Sequence, residues 1–560
     1  MKKRCLPFAL MGLSCVLSRC AFFPFYSSNY EDSAEFSSRS FRLINKNEVY
    51  PLTAKTMTLY FKDGGELPYV DVRNFLNSLE GLYQTRYFGF QTPTPRRLTV
   101  SWRDSSNTYS LTVDDQKDAI EVSSLTFFDL LHSTSGTDYS FDLKSVGYSE
   151  SGGEGTVFSL GSYGIDIYRK KDLVLLPLCV ANTIFCSSHY LNLYYNGSAV
   201  YSSYFNFAMD EECQKEAFLS NQNWGKAIPE DVAKMNKANF LFILDRYYGL
   251  WSSLPATPEF SSAQELLSST NEADVFSAMD SILMDQIDEM HTSFDSLSFY
   301  APTSPGRSLT FGKNRAAFLQ ESKELEASYK QAYPENEPVR YAGDTAILVS
   351  PYPIQTGSLS ELKDKNGNLL PDAYQKDSFY YMKEMISRID SHGGIKNILI
   401  DLSRNGGGNL GALFRILGLM SDEDVTYASK NRLDNKTTVS RMKVDADEDG
   451  DYSDKDAVSS YNWGLLTSKL TFSAANYWAC YVKDHGIGKI FGEQSGGGAC
   501  SIVGFVNADG SSFHLSGPSA MMTMTGKNDF HSVAQGAVPD KEVDPSSFYG
   551  NDAMLDELFD

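Results

Sequence analysis

Two segments of the chain carry residues able to do acyl-transfer chemistry together. Ser473 stands in Leu465-Leu466-Thr467-Ser468-Lys469-Leu470-Thr471-Phe472-Ser473-Ala474-Ala475-Asn476, where a strand-like apolar run gives way to an amphipathic helix pattern ending near Gly486. A hydroxyl at such a corner stands clear of the chain, and the partial positive charge of the helix start favours an alkoxide there. The same position is also an ordinary helix N-cap, which a serine fills without doing any chemistry. His291 lies in Ile287-Asp288-Glu289-Met290-His291-Thr292-Ser293-Phe294, at the end of a helical pattern. Histidine is the side chain best matched to taking a proton from serine near neutral pH. One at a helix end also serves as a cap or a surface residue.

Two further segments offer charge rather than a nucleophile. Ile398-Leu399-Ile400-Asp401-Leu402-Ser403-Arg404-Asn405-Gly406-Gly407-Gly408-Asn409 reads as a buried strand and a glycine loop, followed by an apolar-periodic helix from Leu410 to Met420. Three glycines let the backbone turn sharply and present amides beside a helix N-terminus, which suits a negative charge. The loop lacks the Gly-Lys-Ser/Thr ending of a phosphate loop, and a tight turn without a ligand is the plain alternative. Asp445-Ala446-Asp447-Glu448-Asp449-Gly450-Asp451, with Asp456, puts carboxylates at positions 1, 3, 5 and 12 and glycine at position 6 of a twelve-residue loop. That is calcium-loop spacing, with Asp445, Asp447, Asp449 and Asp456 as candidate metal ligands. The flanks, with Val439, Met442 and Val444, do not read as paired helices, and a solvated acidic loop is the other reading.

The elements that must position these residues divide the chain. Its 560 residues exceed a single core, and 42% hydrophobic content with 33 Tyr and 35 Phe marks a folded, multidomain protein. Residues 48–225 alternate short aromatic runs with turn residues and predict a strand-rich region. Within it, Leu67 to Leu79 and Leu175 to Phe185 look alike and suggest a repeated α+β module, against the alternative of unrelated strands in one β domain. Residues 228–300 carry helical periods and His291, and residues 340–550 alternate strands and helices as an α/β core.

Charge and targeting bound the partners. A formal net charge of -22 excludes nucleic acid as an expected partner. Lys2-Lys3-Arg4, an apolar stretch from Leu6 to Leu17 and Ser18-Arg19-Cys20 form a secretory signal pattern over residues 1–20, followed by a polar linker over 21–47. The pattern resembles a bacterial lipoprotein signal, which implies a membrane anchor through a lipid on Cys20; simple secretion and an uncleaved anchor are the alternatives. The remaining cysteines, Cys179, Cys186, Cys213, Cys480 and Cys500, have no paired spacing and are expected as buried thiols, with Cys480 to Cys500 the pair open to bridging.

In their joint order these segments resemble the C-terminal processing, or tail-specific, serine peptidases and the tricorn protease core. Members carry Asp-x-x-His-Thr/Ser ahead of an Asp-Leu-Arg-x-Asn-x-Gly-Gly turn. Thr-x-Ser-Ala-Ala/Ser-Glu, Gly-Glu-x-Thr-x-Gly-Gly and Gly-Val-x-Pro-Asp then follow. Here Asp288 to Thr292, Asp401 to Gly408, Thr471 to Asn476, Gly492 to Gly497 and Gly536 to Asp540 stand in that order. The resemblance spans residues 228–550. It implies an α/β core of the ClpP/crotonase kind, a protein or peptide substrate and no required cofactor. It further implies that Ser473 attacks a peptide carbonyl, that His291 is the base, and that the amides of Gly407 or Gly408 and of Ala474 receive the oxyanion.

The chain departs from the family at two places. Where many relatives pair the serine with a later lysine, this sequence has Gly498, which leaves the branch using histidine. In that branch a glutamate orients the base, and Val533 stands at the corresponding position, so Glu493 and Asp540 are the nearby carboxylates to consider. The segment between His291 and Ala346 is also too short for the PDZ domain that many relatives insert. The expected function is a serine-type endopeptidase acting outside the cytoplasm. The alternative is a catalytically degenerate member serving as a ligand-binding or scaffolding lipoprotein, since the family resemblance extends to a retinoid carrier.

Overall fold

The computed structural model describes residues 32–46, 49–132, 142–153, 155–205, 211–250, 261–302, 312–452, 455–458 and 460–560. The 1–20 signal and Cys20 lie outside the described residues. Among the described helices none is long and apolar enough to cross a membrane.

The apolar run Asn397–Asp401 is buried along its whole length, as a central parallel strand must be when both faces are covered. Thr345–Val349 and Asn462–Thr467 flank it in parallel, and Gly488–Gly492 and Lys541–Glu542 continue the sheet. Val339–Ala342 closes the other edge antiparallel. Alternate residues divide between two layers. Ala346, Leu348, Ile398, Ile400, Leu465 and Ile490 pack with the helices Ser378–His392, Leu410–Met420 and Ala474–Asp484. Ile347, Leu399, Leu466 and Phe491 pack on Phe548, Leu555 and Leu558 near the C-terminus. The α/β core thus extends past residue 550.

A second, seven-stranded sheet carries the histidine. Ser293–Ser296 pairs antiparallel with the long strand Ser512–Gly526, Ser293 facing His514 and Phe294 facing Phe513. Continuing that register two residues back sets His291 opposite Ser516. The sheet runs on through Val425–Asn431 and Thr437–Val444 to Leu143–Ser151, a strand contributed by the N-terminal half.

The N-terminal half is strand-rich, as expected, and forms a seven-stranded and a five-stranded sheet. The look-alike stretches are the same local unit used twice in one sheet. Pro68–Asp71 and Leu173–Pro177 pair antiparallel, and each runs straight into a helix. Of the expected linker over 21–47 the structure describes residues 32–46, and there Phe36–Asn45 is instead a ten-residue strand between Thr56–Lys62 and Ala199–Tyr204. Its solvent face is made of serine and arginine, which is why composition hid it. The helical segment ends in a π-helical turn, Ser281–Ile287, capped by Asp288 at φ 41°. His291 therefore sits in a turn before a strand, not on the helix end. Cys480 and Cys500 are both free and buried, so the bridge considered between them is absent.

Candidate active site

Ser473 occupies the N-cap of Ala474–Asp484 with φ 56° and ψ -123°, and its side chain makes no capping hydrogen bond. A non-glycine residue held there costs on the order of 1–3 kcal/mol and persists only where its surroundings fix it. The N-cap alternative for its hydroxyl is thereby removed. What fixes the turn is visible on both sides. The Ser473 N–H donates to the Gly497 carbonyl at 2.8 Å and the Phe472 N–H to the Asn405 carbonyl at 3.1 Å. Thr471 Oγ1 and Ser468 Oγ donate to the carbonyls of Leu402 and Ser403 at 2.8 and 2.6 Å. Ser473 keeps partial exposure between buried neighbours.

The glycine loop is pressed against this turn. Gly407 has φ 106°, and a Cβ on it would lie 2.8 Å from the Ala474 nitrogen and from Ser473 Cβ. Gly408 has φ 148°, and its Cβ would meet the Ile354 carbonyl at 2.1 Å. Asn405 holds the loop in place. Its Nδ2 donates to Ser350 Oγ at 2.9 Å and to the Pro351 carbonyl at 2.8 Å, while its Oδ1 accepts from the Gly407 N–H at 2.9 Å. Gly407 is thus already committed. Among the described residues, neither the Gly408 nor the Ala474 N–H is donated to any acceptor, and Gly408 is exposed.

His291 reaches the same corner from the other sheet. Its ring packs edge-on against Phe472, the residue before Ser473, with centroids 4.9 Å apart. It is 6% exposed. Nδ1 lies 3.1 Å from Ser516 Oγ, which donates onward to Glu289 Oε2 at 3.1 Å, and Glu289 Oε1 stands 3.8 Å from Nδ1. Burial, with the nearby His514 and Arg315, pushes the imidazole down to about 4. Burial raises the Glu289 carboxyl. At neutral pH the ring is uncharged, with Nδ1 occupied and Nε2 left to act. No hydrogen bond joins His291 to Ser473.

The carboxylate beside His291 is Glu289, whereas Glu493 and Asp540, the two carboxylates considered from the sequence, lie elsewhere. Glu493 pairs with Lys469 at 3.7 Å, and its N–H donates to the Thr467 carbonyl. Asp540 accepts from the Ile490 N–H at 2.8 Å and from Lys483 Nζ at 3.2 Å. Both serve turns. Val533 is fully buried and offers its carbonyl to Asn476 Nδ2 at 2.8 Å. Asn476 Oδ1 in turn accepts from Ser495 Oγ at 2.7 Å, which knits the Gly492-to-Gly497 and Gly536-to-Asp540 turns to the helix start. Asp288 pins the chain by accepting from the Asn314 N–H at 2.9 Å.

Sequence reasoning missed Glu289, Ser516 and the clamping role of Asn405. Glu289 carried a weak signal, standing two residues before His291. Ser516 carried none, because its partnership comes only from strand register.

Residues 371–543 match the model of peptidase family S41. No curated protein shows significant sequence similarity to the chain. Similar solved structures include a protein from Parabacteroides merdae described as a peptidase, 14% identical at TM-score 0.39, covering 56% of this chain and 90% of that one. A lipoprotein from Streptococcus agalactiae is 11% identical at TM-score 0.33, covering 59% and 95%. The photosystem II D1 C-terminal processing protease is 19% identical at TM-score 0.23, covering 36% and 42%. The matched segment, which contains the glycine loop and Ser473 but not His291, is thus similar to the peptidases of family S41, and the similarity supports reading the chain as a peptidase.

Proposed function

We propose that the chain is an endopeptidase acting by acyl-enzyme chemistry on protein or peptide substrates, with Ser473 as nucleophile and His291 as base. In the first step the Ser473 Oγ–carbonyl carbon bond forms as the hydroxyl proton passes to His291 Nε2. The carbonyl oxygen, now an oxyanion, is received by the Gly408 and Ala474 amides. Preorganised donors of this kind commonly contribute about 3–4 kcal/mol each. Collapse breaks the peptide C–N bond, and the amine leaves with the proton from His291. Water then attacks the acyl-serine by the same route, giving its proton to His291, and the free acid and Ser473 hydroxyl are restored.

While His291 is protonated, its Nδ1–H is held by Ser516 Oγ, and the Glu289 carboxylate offsets the charge. The observation that carries this reading is the packing of a buried, uncharged His291 against the residue before an uncapped, strained Ser473. Michaelis-complex hydrogen bonds are commonly longer in free enzymes, so the open His291-to-Ser473 gap is compatible with it. That gap also favours the second reading, a binding-only member. A fluorophosphonate probe separates the two: labelling that is lost in Ser473→Ala and reduced in His291→Ala supports the enzyme, and folded protein that never labels refutes it.

Export and a lipid anchor on Cys20 belong to the same reading and rest on the Lys2-to-Cys20 pattern alone. Metabolic labelling with palmitate, lost in Cys20→Ala, tests them.

A further inference from the structure

The loop between the strands Thr437–Val444 and Asn462–Thr467 is the one segment singled out by its chemistry that peptide hydrolysis leaves unused. One carboxylate oxygen from each of Asp445, Asp447 and Asp449 lies within 4.8 Å of the others. Two oxygens on opposite sides of a calcium ion, each at about 2.4 Å, are themselves about 4.8 Å apart. The three groups therefore fit around one ion.

The backbone already has the required turn. Asp445 Oδ2 accepts from the Gly450 N–H at 2.9 Å, and Gly450 has φ 91°. Asp447 Oδ1 accepts from the Asp449 N–H at 3.0 Å, and Asp449 Oδ1 from the Asp451 N–H at 2.7 Å. Asp456 Oδ2 accepts from the Ala446 N–H at 2.7 Å, drawing the end of the loop onto its start. Bonds of this sort account for a loop without a ligand.

Asp445 is what points to one. It is 5% exposed, and its Oδ1 is buried with no hydrogen-bond partner. A buried carboxylate oxygen left bare beside two other carboxylates is unfavourable unless a cation meets it. The neighbouring lysines Lys363 and Lys383 pair with Glu448 at 2.9 and 3.0 Å.

We propose that this loop binds a calcium ion through Asp445 Oδ1, Asp447, Asp449, the Asp451 carbonyl and Asp456. Calcium accepts six to eight oxygens in flexible geometry, whereas magnesium demands a near-ideal octahedron and keeps several waters. An irregular surface loop of carboxylates suits the former. The ion would brace the helix that leaves the glycine loop. The Val458 N–H donates to the Leu419 carbonyl at 2.9 Å, Val444 fills the space over Gly418, and Lys383 Nζ donates to the Ala446 carbonyl at 2.8 Å.

The test is calcium titration by calorimetry and thermal unfolding of the whole, chelator-stripped protein. The expected result is one ion per chain with a Kd between about 10⁻⁶ and 10⁻³ M, and a rise in Tm that magnesium at the same concentration does not reproduce. Asp447→Asn and Asp449→Asn, both at exposed positions, are expected to weaken binding at least about tenfold, since ligand charge sets affinity in such loops. Asp445→Asn should abolish it, and the two exposed variants keep the test valid if that variant fails to fold. Absence of heat and of any Tm shift up to about 10 mM calcium overturns the proposal. So do an equal shift with magnesium, which is diffuse screening, and unaltered binding in the two exposed variants.

Discussion

Ser516→Ala removes a single buried hydroxyl and with it the bridge between His291 Nδ1 and Glu289. The bridge matters most when the ring is protonated, because the Nδ1–H bond is then a hydrogen bond from a charged group, worth about 1.5–3 kcal/mol. At about 1.4 kcal/mol per tenfold, the variant is expected to slow acylation by roughly 10- to 150-fold. Glu289→Gln should cost more, because it leaves the shape and deletes the charge. At about 4 Å and an effective dielectric of about 20 that charge contributes up to about 4 kcal/mol, or roughly a thousandfold. The second-order rate of fluorophosphonate inactivation reads attack by Ser473 directly and needs no knowledge of the substrate. Variants with wild-type circular dichroism that inactivate within twofold of the parent, while His291→Ala reacts far more slowly, would refute the relay. A loss that persists when pH is raised well past the base's titration is expected, because the defect lies in stabilising the imidazolium and not in forming the neutral base.

Gly407→Ala drives a methyl to 2.8 Å of the Ala474 nitrogen at a φ of 106°, so probe labelling should fall at least a hundredfold, or about 3 kcal/mol, with only local loss of order by hydrogen exchange. Because His291 titrates near 4 when folded and near 6.5 when unfolded, the unfolded chain takes the proton first as pH falls. Stability should drop by at most about 3 kcal/mol between those values, and His291→Gln should flatten that slope in urea unfolding at pH 4.5 and 7. Arg415 bridges Asp142 at 2.6 Å and Asp377 at 2.9 Å in a fully buried triad, so Arg415→Ala should cost about 3–5 kcal/mol by denaturant midpoint. Burial pushes the Cys179, Cys480 and Cys500 thiols up to about 12, so a thiol reagent at pH 8 should leave them unmodified until the protein is unfolded.

The parts of the site that were legible in the sequence are those made by contiguous chain. The strand, glycine loop and helix around Gly407, and the turn at Ser473, declare themselves because each needs a local backbone conformation that few residue types permit. The glycine where a lysine would stand also directs attention to His291, which the structure places beside Phe472. The carboxylate that lies beside His291 did not follow. Val533 suggested a vacancy to be filled from nearby turns, whereas Glu289 and Ser516 meet His291 through the pairing of two strands more than two hundred residues apart, and strand register leaves no mark on single-chain spacing. The strand Phe36–Asn45 was hidden for a different reason. Its exposed face is built from serines and arginines, so it has a linker's composition and only a few apolar anchors, of which Leu43 is buried.

Leu143–Ser151 lies on the outer edge of a sheet whose other members come from the second half of the chain. A shortened version starting near the helical segment would keep every residue of the active site and still leave Thr437–Val444 with an open row of amides and carbonyls, directly beside the aspartate-rich loop. Such a fragment is inclined to recruit a second copy through that edge. Anyone trimming this protein to a minimal peptidase should therefore carry the borrowed strand along or cap its place with charge.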